Sequence, residues 1–163
     1  MNSPTKYQMT MGLMSLLSSD GDISSYALTQ FGKEPSFYAA EDYARLGDLE
    51  YPFVHGFCYN KTDTDQAVTY SLVMEVSALR EVDTQNRFVH NQVGSVITEA
   101  IHGKIDTWVQ MIAAQLREDL AVVGINGVKG FEIVYVSDAT LPPQGQEDIR
   151  CMLNFDIKLD KCI

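Results

Sequence analysis

The chain has 163 residues, of which 45% are hydrophobic, and its 22 acidic against 12 basic residues give a formal net charge of −10. This length predicts a single domain over residues 1–163 with its own core, and the hydrophobic content excludes an intrinsically disordered chain. The acidic excess argues against a surface that grips duplex DNA, because that affinity comes largely from Lys and Arg neutralising phosphates.

Cysteine usage and hydropathy indicate a reducing compartment and no membrane partner. Cys58, Cys151 and Cys162 are odd in number and form no CxxC motif, which argues against a disulfide framework. The first residues include Lys6 but lack the uninterrupted apolar core of a secretory signal. The longest apolar runs fall far short of the roughly 20 residues that a membrane-spanning helix needs.

The N-terminal third predicts two helices followed by an irregular connection. Ser3 as N-cap with Pro4 behind it indicates a helix start, and apolar residues then recur at helical spacing: Tyr7, Met11, Met14 and Leu17. A polar stretch at residues 18–22 ends this helix, and Ile23 to Phe31 predicts a second short helix ended by Gly32. Residues 33–50 show no clean period and are interpreted as an irregular connection.

A β-hairpin is predicted next. Its strands are Tyr51 to Tyr59 and Val68 to Leu79, joined by a wide polar loop from Asn60 to Gln66 that carries Asp63 and Asp65. The second strand alternates apolar and polar residues, which predicts one buried and one wetter face, as in an antiparallel sheet.

A long apolar stripe predicts one helix from Val89 to Leu120. A straight helix over that span would reach about 48 Å at 1.5 Å per residue. Because this exceeds the width of a small domain and Gly costs roughly 1 kcal/mol relative to Ala inside a helix, a kink or break is expected at His102-Gly103.

A second hairpin closes the chain. Its strands are Phe131 to Ser137 and Ile149 to Leu159, and Asp138 to Asp148 forms a wide loop. Loops of this size in a compact domain are often functional. The elements together predict an α+β fold: an antiparallel sheet of about four strands, a long helix packed on one face, and an N-terminal helix.

No catalytic, cofactor or metal signature is recognisable along the sequence. Glu99, His102 and Asp106 share one side of the long helix but have no matching ligands on a second helix, so a solvated face is the better interpretation. His55 and Cys58 are three apart on a strand, which places them on opposite faces; His55 is expected to be half-buried. We therefore expect no enzyme activity, no cofactor and no metal.

From end to end the chain resembles the tail-terminator (tail-completion) proteins of long-tailed bacteriophages. The resemblance rests on the order of elements: an amphipathic N-terminal helix, a strand opened by proline (Tyr51-Pro52-Phe53-Val54-His55), the alternating strand TYSLVMEVSAL, a helix, and a closing hairpin with FEIVYVSD and DIRCMLNFDIKL. The segment from Gly32 to Glu50 and the very long striped helix are longer than in the shortest family members.

The resemblance implies a structural protein of the virion. Members of the family assemble as a ring, usually a hexamer, on the last ring of tail-tube protein, end tube elongation and offer a surface to the head's connector or neck protein. DNA passes through the lumen without specific binding, which the acidic balance suits. The location implied is the neck-proximal end of the tail, after assembly in the host cytoplasm.

The polar hairpin loops are the candidate interface. Its predicted members are Asp63, Asp65, Pro142, Pro143, Gln144, Gln146 and Glu147. Two alternatives stay open: a head-completion or neck connector protein of the same virion, and a small α+β enzyme or ligand-binding domain whose site forms only in space.

Overall fold

A computed structural model describes residues 3–39, 50–79, 93–122, 128–137 and 148–161, with side chains described within 3–39, 50–79, 103–118 and 150–161. Three helices and five strands follow one another along these residues: α1 (Lys6–Ser18), α2 (Gly21–Phe31), β1 (Ser36–Ala39), β2 (Phe53–Asp63), β3 (Ala67–Leu79), α3 (Val93–Val122), β4 (Val128–Ser137) and β5 (Asp148–Asp160).

The strands form one five-stranded sheet in the order β1-β2-β3-β5-β4. β2 through β5 pair antiparallel, whereas β1 pairs parallel with β2. The predicted α+β class, with a mostly antiparallel sheet and helices packed against it, is confirmed. The fifth strand, β1, lies in the stretch interpreted from the sequence as an irregular connection. Four residues are too few to show an alternating pattern, so periodicity carries no signal for this strand.

Local capping sets the start of α1. Thr5, not Ser3, is the N-cap: its side chain accepts a hydrogen bond from the Gln8 backbone, and the Gln8 side chain accepts one from the Thr5 backbone. This reciprocal capping box satisfies two backbone donors at once. The helix therefore begins two residues later than the Ser3-Pro4 pair predicts.

The second helix follows directly. The carboxylate of Asp20 accepts hydrogen bonds from the backbone of Asp22 and Ile23, so the polar stretch both ends α1 and begins α2. Gly32 ends α2 in the left-handed conformation, with φ of 79°, a backbone geometry that glycine adopts without steric cost. The predicted second helix and its glycine stop are confirmed.

α1 packs on the sheet through a face that overlaps the predicted stripe only in part: Met14 and Leu17, with Leu13 beside them, are buried as predicted. The buried residues are Met9, Thr10, Leu13, Met14 and Leu17. Tyr7 and Met11, which the predicted stripe includes, are exposed at 53% and 41%. Close approach is possible because Gly56 lies beneath the helix, where an added Cβ would come within 2.8 Å of the Met14 side chain.

α3 is continuous from Val93 to Val122, so a break at His102-Gly103 is wrong, and the alternative of a kink there stays a prediction. Its length of 30 residues corresponds to about 45 Å at 1.5 Å per residue. The predicted start at Val89 lies outside the described residues. Within the described side chains the predicted apolar stripe is confirmed, because Ile105, Trp108, Val109, Ile112 and Leu116 are all fully buried.

All three helices contribute to one hydrophobic core on one face of the sheet. Trp108 lies at its centre, fully buried, with its indole N–H donating to the Ile23 carbonyl at 3.1 Å and its ring 5.4 Å from that of Phe31. Val76 and Leu153 are also fully buried, as predicted. Ile101, the fourth predicted core residue, has its side chain outside the described set.

Replacing Trp108 with Ala should lower the free energy of unfolding by about 3–5 kcal/mol, because it removes a fully buried aromatic side chain and leaves a cavity. Gln110→Ala, on the exposed side of the same helix, is the matched control and should change stability by no more than about 0.5 kcal/mol. Urea denaturation of both variants measures the difference; equal midpoints would contradict the central position of Trp108.

Candidate assembly surface

The structure describes two of the seven predicted interface residues. Asp63 ends β2 and its carboxylate pairs with the Lys161 ammonium. Asp65 is exposed in the turn that follows. The other five, Pro142, Pro143, Gln144, Gln146 and Glu147, lie outside the described residues.

The first hairpin loop is much shorter than predicted. β2 continues to Asp63, which pairs with Val68 of β3. Four of the seven residues predicted as loop, Asn60 to Asp63, are therefore strand. The Thr64 hydroxyl accepts from the Ala67 backbone, while the Thr64 N–H donates to the Ala67 carbonyl at 2.9 Å. These bonds close a tight turn, since threonine hydroxyls readily mimic backbone turns. Polarity alone does not distinguish this strand end from a loop, because exposed strand ends are polar too.

Strand register separates the two predicted loop regions. The first turn joins β3 at Ala67, which pairs with Asp160, whereas Asp148 pairs with Leu79 at the other end of β3. The chain leaves β4 at Ser137 and enters β5 at Asp148, so that connection starts and finishes at the Leu79 end. β3 spans 13 residues, or about 40 Å at 3.3 Å per residue. The first turn and the ends of β4 and β5 that flank residues 138–147 therefore lie at opposite ends of the sheet.

The lateral edges of the sheet are β1 and β4. Among the described strands, β4 pairs only with β5 and β1 pairs only with β2. The ladder of β4 is irregular between Val128 and Phe131 and then regular for seven residues to Ser137. This regular part, FEIVYVS, is rich in strand-forming residues and carries one charged residue, Glu132.

Edge strands of soluble proteins are usually protected, because unpaired backbone groups are a template for another chain. In β4 the protective features, Lys129 and the register shift, lie at the beginning of the strand. The seven regular residues contain neither Lys nor Pro. β1, with the sequence SFYA, carries no charge either. Both edges thus offer backbone groups suited to strand addition.

The sheet face opposite the helices carries a row of aromatic rings along β2. Ring-bearing residues occupy every second position: Tyr51, Phe53, His55, Phe57 and Tyr59. Neighbouring rings are in contact at both ends of the row, with centroids 5.1 Å apart for Tyr51 and Phe53 and 6.0 Å apart for His55 and Phe57. Exposure rises along the row, from 1% at Phe53 to 55% at Tyr59. The two-residue spacing of the rings is visible in the sequence, but the increase in their exposure along the strand is not.

One half of this second face is buried, which the sequence did not predict. Glu75 faces His55 across the β2–β3 pair, and the two are 6% and 1% exposed; His55 is therefore fully buried rather than half-buried. The Glu75 Oε2 atom has no hydrogen-bond partner among the described residues, a costly arrangement for a carboxylate. With so little exposed surface, the pair offers a substrate no open approach in this structure.

The other sequence candidates for chemistry are dispersed. Asp106 is exposed on α3, and the side chains of Glu99 and His102 lie outside the described set. Within the described part of the chain, no three His, Cys, Asp or Glu side chains are grouped so that they could hold a metal ion. Cys58 lies in the core on the helix side and His55 on the other face, as their spacing predicts.

No protein-family model matches the chain, and no curated protein matches it either. None of the helices within the described residues has the length and hydropathy needed to cross a membrane.

Cys151 gives the core a measurable dependence on pH. Burial raises the pKa of its thiol from 9.0 to about 12, and the negative charge of Asp106 adds to the rise. The native state therefore keeps a proton that the unfolded chain loses above pH 9. The contribution of the protonated Cys151 thiol to the free energy of unfolding is fully present below pH 9 and is lost as the pH rises towards 12.

Cys151→Ala should therefore show a shallower loss of stability above pH 9 than the unaltered chain, by up to about 1.4 kcal/mol for each pH unit. Urea denaturation at pH 8, 9, 10 and 11 measures this slope in both proteins. The comparison of slopes is independent of the constant loss that the smaller side chain causes. Parallel slopes would contradict the assigned pKa.

Proposed function

We propose that this protein is a phage tail terminator: a ring-forming structural subunit that caps the tail tube, ends its elongation and provides the surface to which the head is joined. Its partners are further copies of itself, in a ring that is hexameric in the family it resembles, the tail-tube protein on one side, and a connector or neck protein on the other. The location proposed is the neck-proximal end of the tail.

The observation that carries this proposal is the separation of four contact surfaces on one sheet. A subunit in such a ring needs two lateral surfaces for its neighbours and two axial surfaces for tube and head. Here the strand edges of β1 and β4 lie at the two sides, and the turn after β2 and the strand ends Ser137 and Asp148 lie at the two ends, about 40 Å apart along β3. The net charge of −10 suits a lumen through which DNA slides.

Native mass spectrometry of the purified chain tests the ring directly. A closed ring of defined number, six on the family's pattern, is the expected species. A stable monomer at all concentrations, with or without tail tubes, would contradict the proposal. Such a result would favour the enzyme or ligand-binding alternative.

Infection with a phage that lacks a functional copy tests the role. The expected phenotype is overlong tails that fail to attach to filled heads, seen by electron microscopy. Tails of normal length that fail to join would instead indicate a head-completion or neck protein. Tails of normal length joined to heads would refute both virion roles.

Variants at the two ends of the sheet should show which end contacts the tail tube and which end contacts the head. We expect Asp63→Ala/Asp65→Ala and deletion of residues 142–147 to leave a folded subunit, because an exposed ion pair contributes little to stability and the length of a connection between two strands changes stability only slowly. Each should retain the ring in native mass spectrometry but lose one of two activities, binding to tube ends or joining to heads.

The matched control is Glu34→Ala/Glu118→Ala, which removes the same two negative charges from exposed positions on other elements. It should support both activities. If both end variants lost the same activity, or if the control lost one, the assignment of the two ends to different partners would be wrong.

A further inference from the structure

We propose that the ring closes by strand addition, in which β4 of one subunit pairs antiparallel with β1 of its neighbour, so that the sheets join into one continuous belt. This inference deepens the proposed function and rests on it. It names which residues meet between copies and in which direction their strands run.

The first argument is the pairing left open within one subunit. β4 and β1 are the two edges of the same sheet, and neither has a second partner among the described strands. The regular part of β4 is seven residues long, and β1 has four. A four-residue antiparallel overlap supplies about four backbone hydrogen bonds.

The second argument is strand direction. β1 and β2 run in one direction, β3 in the opposite direction, β5 with β2, and β4 with β3. Rotation about a ring axis preserves direction along that axis. With the strands aligned to the axis, β1 of a neighbour therefore runs opposite to β4, which gives the antiparallel pairing that is the more stable kind.

The third argument is closure. β4 and β1 are different surfaces, so their contact is heterologous and can continue from copy to copy until a ring closes. Pairing of β4 with β4 would be isologous and would stop at a dimer. Two edges of one sheet thus suit a ring better than a single self-complementary edge.

The fourth argument is charge. Each copy carries a net charge of −10, so copies repel one another except where charge is sparse. β1 carries no charged residue and the regular part of β4 carries only Glu132. These two edges are places where acidic subunits can approach to hydrogen-bonding distance.

Disulfide trapping in the full chain tests the pairing. Tyr38→Cys on β1 is combined in turn with Glu132→Cys, Val134→Cys or Val136→Cys on β4, in a background with Cys162→Ser. The native Cys58 and Cys151 are buried. Register places all four new positions on the same face of the sheet. Tyr38 pairs with His55, His55 with Glu75, Glu75 with Met152, and Met152 with Val134. Cross-strand neighbours, about 4.5–5.5 Å apart between Cα atoms, are within reach of a disulfide.

At least one pair should give, on mild oxidation, a ladder of covalent species that ends at the ring number, and each single-cysteine variant should stay unlinked. Thr69→Cys with Val134→Cys is the matched control and should give no ladder, because β3 is paired on both sides.

The outcomes distinguish this inference from the function on which it rests. Rings in native mass spectrometry without a ladder from any of the three pairs would overturn the strand pairing and leave the ring proposal standing. Dimers from a β4 cysteine alone would show β4–β4 pairing and overturn the inference. If no ring forms at all, the proposed function fails and the inference fails with it.

Discussion

The pairing of β3 on both sides is the constraint on which the rest of the structure depends. β3 is hydrogen-bonded to β2 over most of its length and to β5 over all 13 residues. Its even-numbered residues, from Val68 to Ala78, are buried to 1% exposure or less. A slip by one residue would move this whole set to the other face. Register is therefore fixed, and with it the ends of both hairpins and the positions of both edges.

The length of α3 is close to that of β3. Thirty helical residues span about 45 Å and the thirteen residues of β3 about 40 Å. The helix runs without a break through Gly103. Gly103 is exposed and an added Cβ there would meet nothing within 4 Å, so its cost is the modest one of backbone entropy. The expectation of a break compared the length of the helix with the width of a compact domain instead of with the length of a strand.

Periodicity predicted much of this fold and little of its candidate surface. Alternation along β3 and β5 and the helical stripe around Trp108 identified the fold class and the core. β1 was not predicted because four residues are too few to show a period. The burial of Glu75 was not predicted because one face of an antiparallel sheet is usually solvated. The two edges could not be predicted at all, since which strand lies outermost depends on sheet order, a property of non-local pairing and not of any segment.

Under the proposed ring, long-range repulsion and short-range pairing act at different distances. Charge repulsion between copies extends about 8 Å at physiological ionic strength, whereas strand pairing needs backbones about 4.8 Å apart. The acidic residues therefore oppose most approaches between subunits, and the two edges, where Glu132 is the single charged residue of the pairing segments, permit the last step. The same charge opposes unspecific aggregation of a subunit whose two edge strands have no second partner among the described strands, a hazard that soluble proteins otherwise limit with Lys or Pro within the edge. Charge placed away from the edges thus preserves both solubility and the capacity to pair.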